Sequence, residues 1–301
     1  SENFLPIIKK WLYTDKDIFI RELVSNGCDA VTKLKKLCSM GEAEVQDNFE
    51  INVTLDEQAK TLTISDNGIG MTAEEIKKYI NQIAFSGATD FLQKFQEKSE
   101  EENDIIGHFG LGFYSAFMVA DKVEINTLSY QKDAQPAKWT CTGGIDYEME
   151  DGTKTERGTD ITLYLGEDGK EFLEESTLYA ALKKYCSFMP VPIYFKNENA
   201  VEEEAEEEES FDETEETSDS EVIDAEVSED GTAKETEKKE EKKGPKPLNN
   251  TNPLWLKHPN DCTEEEYKEF FRTAFHDYKE PLFWIHLNMD YPFNLKGILY
   301  F

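Results

Sequence analysis

Four polar side chains share one face of a predicted helix near the start of the chain. The apolar periodicity of residues 17–38 predicts this helix, and its polar positions are Glu22, Asn26, Asp29 and Lys33. At 100° per residue they fall within a stripe about 60° wide. The stripe thus gathers two carboxylates, an amide and an ammonium group on one face of the helix. A solvated outer face of the helix explains the same pattern.

Two glycine-rich motifs follow this helix. SDNGIGMT comes directly after a predicted strand, so Asp66 stands where a carboxylate can accept a hydrogen bond from an exocyclic amine. IGHFGLGFYS places glycines before an apolar segment predicted to be helical over about 113–120, which directs backbone N–H groups at phosphate. It is not a dinucleotide-binding fingerprint, because no βαβ unit surrounds it. Taken alone, each motif is better explained by a turn or a helix cap.

The surrounding elements predict a sheet covered by helices on one side. Further helices are predicted over about 73–83 and 171–188. Antiparallel strand pairs interleaved with helices favour an α+β fold of two layers. Alternation of apolar and polar residues predicts strands at 51–56, 61–65, 122–126, 138–142 and 159–165.

Charge divides the chain into three parts. The net charge is −32, and residues 198–245 carry −17 of it with few apolar side chains. Such a segment cannot offset the entropy of ordering, which predicts a disordered acidic linker rather than a docking tail. The linker separates a domain over 1–197 from residues 246–301. In that last part Thr263 precedes an amphipathic helix, and we expect the truncated start of another domain.

The composition argues against several classes of protein. Nucleic-acid binding needs clustered Lys and Arg, and this chain is strongly acidic. No apolar run approaches the ~20 residues of a membrane span, and no secretory signal is visible, which predicts a cytoplasmic protein without a membrane partner. Five cysteines without paired spacing indicate reduced thiols, and four histidines show no zinc-ligand spacing.

Four segments in order resemble the nucleotide-binding motifs of one ATPase superfamily. They are ELVSNGCDA, DNGIGM, GHFGLGF and the RGT that places Thr159 at the start of a strand. Gyrase, heat-shock protein 90 chaperones, histidine kinases and mismatch-repair proteins share this two-layer α/β sandwich, the Bergerat fold. The resemblance to the bacterial-type heat-shock protein 90 family covers nearly the whole chain, through SGATDF and LKKYCSFMPVPIY to NLKGILYF. It implies an N-terminal ATPase domain, a charged linker and the start of the middle domain.

The resemblance also implies a site for ATP or ADP with Mg²⁺. Glu22 would be the catalytic residue that orients the attacking water, Asn26 would hold the metal, and Asp66 would bind the adenine amine. Thr159 would assist through a water, and residues of roughly 81–112 would form a lid over ATP. The other expected nucleotide-binding residues are Asp29, Ala30, Lys33, Gly70, Met71, Tyr79, Gly107, His108, Phe109, Gly110, Leu111, Gly112 and Phe113.

Three positions depart from the family's pattern. Phe85 stands where members often have a lysine, which removes a cationic contact to the nucleotide. Tyr79 stands where many have an asparagine near the ribose and base. His108 replaces a frequent glutamine, in a loop that acts through its backbone.

The family implies an ATP-dependent molecular chaperone of the stress response. Its homodimer would close a lid, clamp and remodel unfolded or partly folded client proteins. An upstream strand and a middle-domain arginine that complete the ATPase site are expected outside residues 1–301, so we expect this chain to bind nucleotide with little turnover. A kinase that phosphorylates a protein histidine remains an alternative and predicts a labelled phosphoprotein. An acidic scaffold that kept the fold without nucleotide predicts no stabilisation by ATP.

Overall fold

The structure is a computed structural model. It describes residues 15–45, 48–80, 112–143, 146–200, 246–275, 277, 279–289 and 295–301. Residues 201–245 of the predicted linker (198–245) and residues 81–111 of the predicted lid (roughly 81–112) lie outside the described residues. The described residues up to Asn199 and from Pro247 onward form one compact unit.

Seven strands form one mixed sheet. Its order is β5-β4-β3-β6-β2-β1-β7, and β1 pairs with β7 in parallel while the other neighbours run antiparallel. Each predicted strand is present, with ends shifted by no more than two residues. The strands are β1 (Ile51–Asp56), β2 (Thr61–Asp66), β3 (Ala120–Leu128), β4 (Ala137–Cys141), β5 (Tyr147–Asp151), β6 (Gly158–Leu165) and β7 (Ile193–Asn197).

The buried face of the sheet consists of side-chain rows that cross four strands in register. Two rows are apolar, because every second residue of each strand faces inward. They contain Leu55, Leu62, Leu163 and Val123, then Val53, Ile64, Ile161 and Ile125. The third row starts with Ile51 and then becomes polar, with Asp66, Thr159 and Thr127 in register. The core therefore ends in a polar edge at one end of three adjacent strands.

Helices cover this face of the sheet. The longest, α1 (Ile18–Ser39), is buried along most of its length. A capping box starts α2 (Ala73–Tyr79), since Thr72 accepts from the Glu75 N–H and the Glu75 carboxylate accepts from the Thr72 N–H. No described helix combines the length and apolar character that crossing a membrane requires.

Two predicted helices differ from the observed ones. The segment predicted over about 113–120 forms a 3₁₀ helix over Gly112–Met118, because β3 already begins at Ala120. The helix predicted over 171–188 is divided at Glu174, whose backbone is extended with φ −83° and ψ 120°. A 3₁₀ helix precedes that residue, and α3 (Glu175–Cys186) follows it.

The C-terminal part contains a helix and a hairpin. Thr263 caps α4 (Glu264–Phe275) as predicted, with its Oγ1 accepting from the Glu266 N–H at 3.2 Å. The hairpin pairs β8 (Trp284–Met289) with β9 (Leu295–Tyr300). Buried Asn249 ties this part to β7, because it accepts from the Ile193 N–H and donates to two carbonyls before that strand. The division at 197 and 245 stays a prediction.

Candidate functional site

Asp66 ends β2 beneath α1, and the region between the polar row of the sheet and the polar stripe of α1 is called the recess below. A Cβ on Gly27 of that helix would lie 3.4 Å from the Asp66 Cβ, so the two elements are in close contact. The Gly68 N–H donates to Asp66 Oδ1 at 2.8 Å, and no described residue donates a hydrogen bond to Oδ2. Burial raises the pKa of Asp66 to about 7, although the Gly68 N–H, Lys154 and Arg157 lower it. The carboxylate therefore offers one open acceptor.

Two threonines continue the polar row beside Asp66. The Thr127 and Thr159 hydroxyls are 2.9 Å apart, and Thr127 Oγ1 also lies 3.0 Å from the Gly158 carbonyl. The Met71 N–H donates to Thr127 Oγ1 at 3.0 Å. Thr127 thus fixes both Thr159 and Met71, two residues expected to bind nucleotide. Sequence analysis missed Thr127, although a polar residue continuing the inward alternation of Val123 and Ile125 is a usable signal.

Thr127→Val is expected to destabilise the protein by about 1–3 kcal/mol, because the Met71 N–H loses its buried acceptor. Urea unfolding measures this loss. Thr162→Val is the matched control, since Thr162 pairs with Thr63 at 3.1 Å on the opposite face of the sheet. Equal destabilisation by the two substitutions would contradict the anchoring role of Thr127.

The polar stripe of α1 is buried or half-buried rather than exposed to solvent. Asp29 is only 3% exposed, whereas the exposed side of the helix carries Arg21 and Lys35. Burial lowers the pKa of Lys33, and the nearby carboxylates of Asp29 and Asp66 oppose that shift. Both carboxylates therefore favour the charged form of Lys33. The solvated-face explanation of the stripe is wrong.

Glu22 connects α1 to the second glycine motif. Its Oε1 accepts from the Arg21 guanidinium at 2.5 Å, and its Oε2 lies so close to Gly112 that a side chain there would collide with it. Phe113, which follows, is buried. The preceding motif residues, together with Phe85, lie outside the described residues; they are Gly107, His108, Phe109, Gly110 and Leu111.

The turn after Asp66 is held from two sides. The Ile69 N–H donates to the Ala30 carbonyl of α1 at 3.1 Å, and the Ile69 carbonyl accepts from the Tyr130 N–H at 2.8 Å. Gly70 has φ +64° and packs against the Leu128 carbonyl, so only glycine fits there. The first glycine motif therefore packs between α1 and the end of β3.

Two other expected residues lie at the edge of this region. Met71 is half-buried against the core. Tyr79 is the last residue of α2, and the Lys78 ammonium lies 5.0 Å from its ring centroid. The part these two residues take in nucleotide binding stays a prediction.

Asn26 is suited to bind a metal ion whose other ligands come from a bound phosphate group and from water. Its half-buried amide forms no hydrogen bond with the described residues. Among those residues, no three His, Cys, Asp or Glu side chains converge where they could hold a metal ion. Mg²⁺ commonly takes one or two protein oxygens and completes its shell with phosphates and water. The single amide oxygen of Asn26 on the polar stripe is consistent with a Mg²⁺ site of this kind.

The fold and the half-buried carboxylate of Asp66 beneath α1 define a nucleotide-binding domain of the gyrase type. A family model described as histidine kinase-, DNA gyrase B-, and HSP90-like ATPase matches residues 15–152. A second model, Hsp90 protein, matches residues 171–301. The chain belongs to the heat-shock protein 90 family.

Its curated relatives include proteins named Chaperone protein HtpG. Those of Bacteroides fragilis and Bacteroides thetaiotaomicron are 50% identical to the chain over 302 residues, and that of Porphyromonas gingivalis is 44% identical. Each match covers 100% of this chain and 39% of the relative. The chain therefore spans about two fifths of the length of these relatives.

Proposed function

We propose that the chain binds ATP and ADP as the nucleotide-binding part of an ATP-dependent molecular chaperone. The observation that carries this proposal is the open acceptor of Asp66 in a recess below the polar stripe of α1. An exocyclic amine supplies the matching donor, and Thr159 lies beside the carboxylate in register. The names of the relatives support the chaperone role.

The other site residues would take part in hydrolysis, metal binding and phosphate binding. Glu22, one turn before Asn26, would orient the attacking water for hydrolysis. Asn26 would ligate Mg²⁺, which when bound neutralises charge on the phosphate oxygens. Asp29 and Lys33 would support the recess from α1. The backbone that ends at Gly112 and Phe113 would bind phosphates through its N–H groups.

The larger cycle belongs to the same proposal. Nucleotide binding would close a lid, and a homodimer would clamp unfolded or partly folded clients in the cytoplasm. The acidic linker over 198–245 would tether the two flanking parts. We expect the chain to bind Mg-nucleotide and to hydrolyse ATP barely above background.

Thermal unfolding with Mg-ADP and Mg-ATP tests the proposal. RT ln(1 + [L]/Kd) gives about 2.7 kcal/mol of stabilisation at 100 times Kd, so a clear rise in Tm is expected. Absence of any rise would favour the acidic scaffold. Incubation with γ-labelled ATP should leave the protein unlabelled and release little free phosphate. A labelled phosphohistidine would favour the kinase.

A further inference from the structure

Arg157 binds the turn that follows Asp66, although sequence analysis assigned it no role. One guanidinium nitrogen, Nη1, donates to the Asn67 carbonyl and, at 2.8 Å, to the Gly68 carbonyl. These contacts span about 90 residues of sequence, from the segment before β6 to the end of β2. Both carbonyls belong to the turn that shapes the recess.

The Asn67 carbonyl and the Gly68 N–H are the two ends of a single peptide group. At one end Arg157 donates to the oxygen, and at the other the N–H donates to Asp66 Oδ1 at 2.8 Å. The guanidinium therefore orients the peptide that orients the carboxylate. Hydrogen bonds in such a chain polarise and strengthen one another.

We propose that Arg157 is a positioning residue for recognition of the adenine amine, acting on Asp66 through the Asn67–Gly68 peptide. The inference rests on the proposed nucleotide site. Arg157 holds Oδ1 against the Gly68 N–H, and this leaves Oδ2 as the acceptor for the ligand.

Neighbouring groups hold the guanidinium and the turn in place. The Arg157 guanidinium lies 5.9 Å from the ring centroid of Phe49, and the Lys35 ammonium lies 5.1 Å from the same centroid. The Asn67 side chain accepts from the Glu50 N–H at 3.0 Å and donates to the Asn48 carbonyl. The turn is thus fixed through its side chain on one side and through its carbonyls by Arg157 on the other.

Gly158 brings Arg157 to this position. It has φ +126°, and its Cα lies against the Asp66 carbonyl so closely that a side chain would overlap that oxygen. The RGT segment therefore contributes three adjacent contacts to the same site. Arg157 binds the turn, Gly158 permits the approach, and Thr159 lies beside the carboxylate.

The loss of a positive charge alone does not account for the effect that we expect from replacing Arg157. The ionisable groups around Asp66 among the described residues are Arg157, Lys154 and Asp160, with Lys33, Asp29 and the neutral Cys28 thiol on α1. Lys154 is bonded to Asp160 at 2.8 Å, and no described hydrogen bond joins it to the turn. Lys154→Gln therefore removes a nearby positive charge and keeps the peptide contact. Arg157→Gln removes both.

Calorimetric titration of the whole chain with ADP and with inosine diphosphate tests the proposal. Inosine carries a carbonyl where adenine carries the exocyclic amine, so their affinity ratio reports on the Asp66 acceptor. At pH 9, where Asp66 is ionised, Arg157→Gln is expected to bind ADP about tenfold more weakly, the size typical of a lost hydrogen bond to a charged group. Inosine diphosphate binding should change little, so the ratio should fall.

Three further variants complete the test. Arg157→Lys keeps the charge and one donor nitrogen, so it should restore part of the ratio. Lys154→Gln should bind ADP like the parent at pH 9 and lose affinity only as the pH falls toward 7. The exposed Arg272, which pairs with Glu280 in the C-terminal part, provides Arg272→Gln as the control for charge removal.

The outcomes separate this inference from the proposed function. A parent chain that binds neither nucleotide overturns the proposed function. A parent that prefers ADP, together with an Arg157→Gln ratio equal to the parent's, overturns the positioning role alone. If Arg157→Gln fails to fold, the ratio of Arg157→Lys decides, because a ratio equal to the parent's there also contradicts the role of the guanidinium.

Discussion

Asp66→Asn is expected to weaken ADP binding by about 100-fold and to stabilise the nucleotide-free fold at pH 8. The loss of affinity corresponds to one hydrogen bond between an amine and a half-buried carboxylate. Asparagine can keep Oδ1 on the Gly68 N–H, but its NH₂ group then replaces the open acceptor. Two donors would face each other in the recess. The loss of ADP affinity should therefore be larger than removal of the hydrogen bond alone would cause.

The gain in stability follows from the pKa of Asp66. Burial raises this pKa from 3.8 to about 7, so the folded chain holds the proton more tightly than the unfolded chain. The contribution of Asp66 to the free energy of unfolding therefore decreases as the pH rises from about 4 to about 7. Asparagine does not ionise, so the advantage of Asp66→Asn should appear across this interval and persist above it.

Thermal unfolding without nucleotide, from pH 4 to pH 8, and calorimetry with ADP measure the two effects. A stabilisation of 1 kcal/mol would raise Tm by roughly 2–4 °C in a domain of about 150–250 residues. Asp160→Asn is the matched control, because Asp160 is a nearby half-buried carboxylate paired with Lys154. An Asp66→Asn protein that binds ADP like the parent would contradict the assignment of the adenine contact.

Asp66 illustrates what local sequence shows about such a site. The alternation of Leu62, Ile64 and Asp66 along one strand predicts that the carboxylate faces inward. Gly68 and Gly70, two and four residues further along the chain, predict a turn just after it. Both features are local, so they are visible without any knowledge of strand pairing. The five strands that were predicted could be found for the same reason, because the alternation of apolar and polar residues is also a local signal.

The roles of Thr127 and Arg157 were not visible in this way, although the alternation along β3 marks Thr127 as facing inward. The role of Thr127 depends on the register that places it opposite Thr159 on the neighbouring strand. The role of Arg157 depends on contacts with a turn about 90 residues earlier. Such positions need the pairing of strands, which one sequence does not specify.

Two strands of the seven-stranded sheet, β5 and β7, were missed for a different reason. In β5 every residue is exposed or half-exposed, so no apolar alternation marks it. In β7 the strand is short and lies at the sheet edge, pairing in parallel with β1 and receiving Asn249 from beyond the linker. Tertiary pairing rather than local propensity creates both elements.

Glu22→Gln is expected to separate hydrolysis from binding. A positioned general base contributes about 10²–10⁴-fold, so turnover should fall by that factor while ATP affinity stays within about twofold. Hydrolysis is best measured in a chimera that joins this chain to the remainder of the Bacteroides fragilis relative. The exposed Glu44 beyond the end of α1 provides Glu44→Gln as the matched control.

Asn26→Ala, one turn further along α1, should instead weaken the binding of ATP itself. Its ATP affinity in Mg²⁺ should fall to the value measured in EDTA, because the amide oxygen that would ligate the metal is lost. Asn288→Ala, on the exposed face of β8, is the control and should keep its dependence on Mg²⁺. If the Glu22 and Asn26 variants lost ATP binding to the same extent, the stripe would act as one binding surface. The division into a water-orienting carboxylate and a metal-holding amide would then be wrong.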